Sequence, residues 1–210
     1  MNLGIGFLPQ KYYKSEPSTG GYNFFVHEGI QFAINIGEMY YPDYTEEQIA
    51  YFTESLAAFP LYYLFEQREK EDSEELKKHL QDEHLPFEIW HQSKSSTFFL
   101  MTITNHQELL RLLPIMIWQH NYNMSSLWSN NKNAFTIENK TWDSTYANGK
   151  YKSIEETTIC LNFNKPTTVF WLGYDFVGTD IFSNEQRFAT LEGIQKLLSS
   201  FITTEIIEFG

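Results

Sequence analysis

Apolar and polar residues alternate in several segments of the chain, and this period of two is typical of β-strands with one buried face. The pattern is clearest in Ile30–Ile36, where every second residue is isoleucine or phenylalanine. The aromatic segment Tyr22–His27 precedes it, and only Glu28 and Gly29 lie between the two. Because a two-residue connection that contains glycine suits a tight turn, these segments are predicted to form a β-hairpin.

Two further pairs of segments combine strand-like residues with short polar connections. The first pair is Phe87–His91 with Thr97–Thr104, and the second is Glu156–Phe163 with Thr167–Phe176. These segments are rich in aromatic and β-branched residues, which favour strands. We therefore predict two more antiparallel hairpins.

Helices are predicted where apolar residues recur three or four positions apart after an N-terminal capping signal. The capping residues and their capping-box partners are Thr45 with Gln48, Asn105 with Glu108, and Ser183 with Gln186. Another short helix is predicted after Ser73, with Leu76 and Leu80 facing the core. Helices and hairpins together indicate an α+β fold, in which antiparallel β-hairpins form one or two sheets packed against several α-helices.

The chain has 210 residues without an internal repeat or a clear linker, so a single α+β domain over residues 1–210 is predicted. Residues 1–21 contain prolines and glycines and are expected to be irregular. Asn and Ser dominate Asn121–Asn133, which is predicted to be an exposed loop. Its Tyr122 and Trp128 have two interpretations: they contact a partner, or they fold back onto the core.

The charge of the chain is strongly negative, with a formal net charge of -12 and a pI near 4.9. Ten Glu and two Asp against four basic residues place a net charge of -8 between Glu46 and Glu88. This distribution argues against a nucleic-acid partner and favours a basic protein. The alternative is a solvated helix face that keeps the protein soluble. The candidate binding residues are Glu69, Glu71, Asp72, Glu74 and Glu75.

Several classes of function are not indicated by any motif. Cys160 is the only cysteine, which excludes an intramolecular disulfide and a Cys-based zinc site. The histidines lack zinc-site spacings, and no phosphate-binding loop or serine-nucleophile motif occurs, so no metal and no cofactor are predicted. No signal peptide is recognised and no apolar run is long enough to span a membrane, so a cytoplasmic protein is expected.

A carboxylate pair is the remaining basis for an enzyme. Asp175 and Asp180 lie among aromatic residues, and Trp171 and Tyr174 are candidates for a platform on which a sugar stacks. Two carboxylates on either side of the scissile bond are the arrangement that glycoside hydrolysis uses. The alternative is structural: Asp175 ends a strand, and Asp180 occupies a turn before the last helix.

These features together predict a non-enzymatic protein that binds another protein. Its acidity, size and single cysteine are similar to those of bacterial immunity proteins, although no motif is shared. An immunity- or antitoxin-type inhibitor of a basic partner is therefore the first functional hypothesis. A hydrolase that uses Asp175 and Asp180 is the second.

Overall fold

The computed structural model describes residues 1–13, 22, 24–26, 28–37, 44–68, 70–93, 96–121, 125–145, 151–173 and 178–209. Within these residues the chain forms twelve strands in two sheets, together with five α-helices. The predicted α+β class is therefore confirmed. None of the helices in these residues has both the length and the apolar content that a membrane span requires.

The larger sheet has nine strands. Their spatial order is β12 (Thr203–Ile206), β1 (Asn2–Phe7), β3 (Phe32–Gly37), β11 (Gly178–Ser183), β10 (Thr168–Leu172), β7 (Ser126–Ser129), β4 (Leu61–Gln67), β6 (Thr97–Ile103) and β5 (Phe87–Gln92). Neighbouring strands are antiparallel except at one edge, where β12 is parallel to β1. This sheet is mixed, and few of its neighbours are joined by hairpins.

The smaller sheet contains β2 (Phe24–Val26), β9 (Tyr151–Leu161) and β8 (Phe135–Thr145), in that spatial order. The strands β8 and β9 form a long antiparallel pair, and β2 adds to one end of β9 in the parallel direction. The helices are α1 (Gln10–Tyr13), α2 (Glu46–Leu56), α3 (Lys70–Asp82), α4 (His106–Asn121) and α5 (Leu191–Leu197).

The large sheet lies between two layers. Helices α2 to α5 pack on one of its faces, and the small sheet packs on the other. Because successive residues of a strand point to opposite faces, each central strand supplies both cores. In β10, for example, Phe170 and Leu172 face the helices, whereas Val169 and Trp171 face the small sheet.

The predicted hairpins differ in outcome. The strands β5 and β6 pair as predicted. The other two hairpin predictions are wrong in their pairing, because β2 and β9 lie in the small sheet whereas β3 and β10 lie in the large one. At both places a short connection carries the chain from one sheet to the other instead of reversing it within a sheet.

Two of the three capping predictions are confirmed. The side chains of Thr45 and Asn105 accept hydrogen bonds from the backbone N–H groups three residues later, at 3.3 and 3.0 Å. Helix α4 continues through Pro114. The third prediction is wrong, because Ser183 ends β11 and α5 is capped by Thr190. Pairing of β11 with two neighbouring strands outweighs the local capping signal.

The expectation that residues 1–21 are irregular is wrong for their first part. The strand β1 pairs with β3 and β12 in the large sheet, and the helix α1 follows it.

Two strands in the middle of the large sheet are missed by the sequence pattern. The strand β7 lies in the segment predicted to be an exposed loop, and β4 lies in the stretch assigned only to the charge cluster. In the structure β7 pairs with β4 on one side and β10 on the other. The loop prediction is therefore wrong here, since four residues between polar flanks are too few to show a period.

Trp128 of β7 lies in an aromatic row that crosses three strands. Its ring stacks on Phe170 of β10, with 3.8 Å between centroids and 7° between planes, and it faces Tyr63 of β4 at 6.0 Å. All three side chains are buried beneath the helices. Aromatic rings remove large areas from water, so this row stabilises the contact between the sheet and the helix layer.

Replacing Trp128 by alanine is expected to lower the free energy of unfolding by about 3–5 kcal/mol, because it removes a buried ring and leaves a cavity. The control is Trp90→Ala, which deletes the same side chain from a half-buried position of the edge strand β5 and should cost about 1–2 kcal/mol. Urea unfolding followed by circular dichroism measures both values. Equal losses would contradict the assignment of Trp128 to the core.

Candidate functional site

Helix α3 positions most of the predicted binding residues. It begins at Lys70, earlier than the predicted start at Ser73, so acidic residues occupy its first turn and interact favourably with the positive end of the helix dipole. Leu76 and Leu80 lie one turn apart and are buried against the large sheet, as predicted. This anchor leaves a predominantly polar side of the helix exposed.

The candidate acidic residues have different environments. Three of them are exposed: Glu71, Glu74 and Glu75. Asp72 is half-buried and accepts a hydrogen bond from the side-chain N–H of Gln67 at 3.2 Å. Lys77 forms an ion pair with Glu74 at 2.6 Å. Glu69 lies outside the described residues.

A groove of about 500 Å³ lies between α3 and α4. Its lining residues are Glu75, Leu76, Lys78, His79, Asp82, Pro114 and Ile115. Leu76 and Ile115 are buried and form an apolar floor. The exposed Glu75 and Asp82 add two carboxylates to the lining, and the exposed Lys78 adds one ammonium group. A concavity of this size, apolar below and charged above, can accommodate a side-chain cluster of a binding partner.

The relative position of the two groove walls is supported by a hydrogen bond beside the groove. The guanidinium of Arg111 on α4 donates to the backbone carbonyl oxygen of Glu83, just after α3, at 2.8 Å. The lining residues of α3 recur at helical spacing and therefore share one face of that helix. The groove therefore lies between two helices whose relative position this hydrogen bond helps to fix.

The fold concentrates negative charge on its helical side. Of the twelve carboxylates between Glu46 and Glu88, eight lie on α2 or α3; with the three lysines of α3, these two helices carry a formal net charge of -5. Both helices pack on the same face of the large sheet, opposite the small sheet. Carboxylates gathered on one side of a molecule produce a directional field that attracts a basic partner.

The structure supports neither Tyr122 nor Trp128 as a residue that contacts a partner. Trp128 is 1% exposed and belongs to the core, which corrects its assignment as a contact residue. Tyr122 lies outside the described residues. Among the described residues, the exposed aromatic side chains are instead Phe7, Tyr12, Tyr51 and Phe201, of which Tyr51 is 46% exposed and Phe201 39%. Tyr51 could have been found in the sequence, because it lies off the apolar stripe of α2.

Asp180 is a buried strand residue rather than a turn residue. It lies in β11, is 6% exposed, and stands between Trp171 of β10 and Asn35 of β3 in the strand register. The hydroxyl of Tyr22 donates to its Oδ2 at 2.5 Å, and the side-chain N–H of Asn35 donates to its Oδ1 at 2.6 Å. The turn prediction for Asp180 is therefore wrong. Asp175 lies outside the described residues.

The groups around Asp180 account for its raised pKa and for its structural role. Burial raises the pKa of Asp180, and the hydrogen bonds from Asn35 and Tyr22 only partly offset this effect. The ring of Tyr22 packs against Phe24, Trp171 and Phe182, with centroids 4.8–5.1 Å apart. Each carboxylate oxygen already accepts a hydrogen bond, so Asp180 links Tyr22, two residues before β2, to the large sheet.

Asp180→Ala is expected to lower the free energy of unfolding by about 2–4 kcal/mol, because it leaves a buried donor on Tyr22 and a half-buried donor on Asn35 without their acceptor. Asp180→Asn should cost less, since the amide keeps the volume and one acceptor oxygen. Chemical unfolding of both variants measures the order. Unchanged stability in both would exclude this linking role.

A second buried carboxylate, Glu66 of β4, was not identified from the sequence. It is 3% exposed and accepts hydrogen bonds from the hydroxyls of Ser96 at 2.6 Å and Ser125 at 3.4 Å. Arg68 lies 3.4 Å from Glu66 and 3.9 Å from Glu156 of the small sheet. Burial raises the pKa of Glu156; Arg68 lowers it, and Glu66 adds to the rise. This network connects the two sheets.

His106 connects the N-terminus of α4 to α2. Its Nδ1 lies 2.6 Å from Glu54 Oε1, its Nε2 lies 3.2 Å from Glu47 Oε2, and its ring rests against Tyr51 at 4.9 Å. Burial lowers the pKa of His106, but the contacts with Glu54 and Glu47 outweigh it, so the net pKa is raised. The protonated imidazole therefore helps to hold the two helices together.

The His106 contacts predict a pH dependence of stability. Because its pKa is higher in the folded state than the unfolded value of about 6.5, its contribution is complete below that pH and is lost as the pH rises through the folded pKa. His106→Gln should remove a contribution of up to about 1 kcal/mol at low pH and little above the folded pKa. The measurement is thermal unfolding of the unmodified protein and of His106→Gln, from a pH below about 6.5 to a pH above the folded pKa of His106. A constant difference at all pH values would contradict the role of protonation.

The remaining chemistry of the described residues is sparse. Cys160 is buried in β9, and burial raises the pKa of its thiol to about 12, so it is protonated at neutral pH. In the described ranges no three His, Cys, Asp or Glu side chains are grouped to hold a metal ion.

Comparisons with models of known protein families, with curated protein sequences and with solved structures find no match to the chain.

Proposed function

We propose that this chain is a non-enzymatic protein-binding protein that engages a basic protein through the acidic face of α3 and the groove beside it. The observation that carries the proposal is the groove itself, in which an apolar floor adjoins exposed carboxylates. Burial of the partner's apolar side chains on Leu76 and Ile115 would supply affinity. The carboxylates would select a partner with Lys or Arg beside those apolar side chains.

The distribution of charge supports the same proposal. The exposed Glu71, Glu74 and Glu75 lie along α3, and only Glu74 has an ion-pair partner among the contacts described above. Carboxylates at the rim of an interface accelerate encounter with a basic partner and make binding sensitive to salt. The proposed biological role is that of a cytoplasmic inhibitor of the immunity or antitoxin type, which neutralises a basic protein by covering its surface.

Neutralising Glu71, Glu74 and Glu75 together to Gln is expected to weaken partner binding roughly tenfold or more, because three rim charges are lost at once. The control changes Glu155, Glu205 and Glu208 to Gln, which alters the net charge equally at exposed positions outside the helices. The unmodified protein and the two triple variants are each immobilised and used to capture binding proteins from a lysate of the native cells, at low and at physiological salt. This capture identifies the partner. Titration calorimetry then gives the affinities.

The two triple variants separate local recognition from a general charge effect. Loss in the α3 variant with retention in the control supports the proposed surface. Equal loss in both would show that net charge alone attracts the partner. Failure to capture any specific partner at either salt concentration would contradict the proposed function.

A hydrolase that uses Asp175 and Asp180 is the second hypothesis, and the geometry of Asp180 favours it less. Its side chain is buried, and both of its oxygens accept hydrogen bonds. A catalytic carboxylate needs access to substrate. Loss of a hydrolytic activity in Asp180→Asn with unchanged unfolding would favour the hydrolase over the binding protein.

A further inference from the structure

Two exposed rings and one half-buried ring form a patch on the helical side of the protein: Tyr51 of α2, Phe201, which precedes β12, and the half-buried His106 of α4. We call them the aromatic patch. The ring of Tyr51 lies 4.9 Å from that of His106 and 6.4 Å from that of Phe201. Tyr51 and Phe201 are 46% and 39% exposed, which is high for large aromatic side chains. Adjacent exposed aromatic rings are typical contact points for a partner.

Two carboxylates border the aromatic patch. Glu54 and Glu47 of α2 lie on the two sides of the His106 ring, 2.6 and 3.2 Å from its nitrogens. Nδ1 is hydrogen-bonded to Glu54, and Nε2 makes an ion-pair contact with Glu47 that only the protonated, positively charged imidazole can provide. The arrangement therefore suits the imidazolium. Deprotonation of His106 would leave one carboxylate without its cation.

Glu47 is the carboxylate that a partner can reach. Its side chain is 50% exposed, whereas that of Glu54 is 27% exposed and has the shorter contact with His106. In the neutral ring, the proton on Nδ1 would remain with Glu54, and Glu47 would no longer have a cation beside it. Glu47 would then favour an external cation beside Tyr51.

We propose that the aromatic patch binds an arginine side chain of a protein partner, which stacks on Tyr51 beside the edge-on ring of Phe201 and pairs with Glu47 in place of the protonated His106. The inference rests on the proposed function, since it assumes a basic protein partner. Arginine fits better than lysine because its planar guanidinium stacks on aromatic rings and binds carboxylates with two parallel hydrogen bonds. Protons and arginine compete, so affinity should rise with pH.

Charged groups lie near the aromatic patch on α2, on α4 and at the N-terminus of the chain. The N-terminal ammonium group of Met1 donates a hydrogen bond to the backbone carbonyl oxygen of Phe201 at 3.0 Å. Among the described residues, the carboxylates that face His106 are Glu47 and Glu54, both on α2. On its own helix, Glu108 accepts hydrogen bonds from the backbone N–H and the hydroxyl of Thr104, at 2.7 and 2.9 Å. The pH dependence is therefore assigned to exchange of His106 for an external cation at Glu47.

The test uses the full chain, labelled with ¹⁵N, and an oligo-arginine peptide with blocked ends, so the probe itself does not titrate near neutral pH. Amide shifts are followed by NMR at a pH of about 5.5 and of about 8, on either side of the usual pKa of histidine. An oligo-lysine peptide of the same length is the chemical control. Shifts at α2, the start of α4 and Phe201 are expected, with binding roughly two- to fivefold tighter at the higher pH and tighter for arginine than for lysine.

Variants make the assignment specific. Tyr51→Ala with Phe201→Ala should abolish the preference for arginine, whereas Ile89→Ala with Ile206→Ala, at two other exposed apolar residues, should not. His106→Gln should remove the pH dependence, although other histidines remain. Melting temperatures of all variants confirm that they fold.

The outcomes distinguish this inference from the function on which it rests. Equal affinity for both peptides, or pH dependence that persists in His106→Gln, would overturn it. Shifts confined to α3 and its groove would also overturn it while leaving the proposed basic partner in place. Failure of the affinity capture described above would instead contradict the proposed function.

Discussion

Large apolar side chains project from both faces of the nine-stranded sheet, and both faces must be removed from water at the same time. The rest of the structure follows from this constraint. Four helices cover one face, where Trp128 stacks between Tyr63 and Phe170, and the small sheet covers the other. Because the two covers come from segments interspersed along the chain, the chain repeatedly crosses between layers. Neighbours in sequence are therefore often not neighbours in a sheet.

The same layering separates two kinds of carboxylate. Those on α2 and α3 lie on helices with one buried side, so most of their side chains reach solvent and create a field on one side of the molecule. Asp180 and Glu66 point from central strands into the space beneath the small sheet, where hydroxyl, amide and guanidinium groups must satisfy them. The first kind is available for binding, and the second connects the sheets. The amino-acid composition and the net charge do not distinguish the exposed carboxylates from the buried ones.

Local signals were reliable where the interaction they describe is itself local. The capping groups Thr45 and Asn105 bond to the backbone three residues away, and the β5–β6 hairpin closes on itself, so all three could be predicted. Ser183 carries an equally good capping signal, yet strand pairing on both sides of β11 prevails. Trp128 gave two possible interpretations, and only the neighbouring strands decide between them.

The sequence by itself determined the α+β class, the acidic character, the N-terminal caps of α2 and α4, and the exposure of Glu71, Glu74 and Glu75. These properties depend on composition and on residues within one or two helical turns of each other. The tertiary structure decided which strands pair, that Asp180 is buried, that a groove separates α3 from α4, and that His106 meets Glu54 across two helices. Those features join residues far apart in the chain, and their free energy comes from burial shared between layers, which no local pattern encodes.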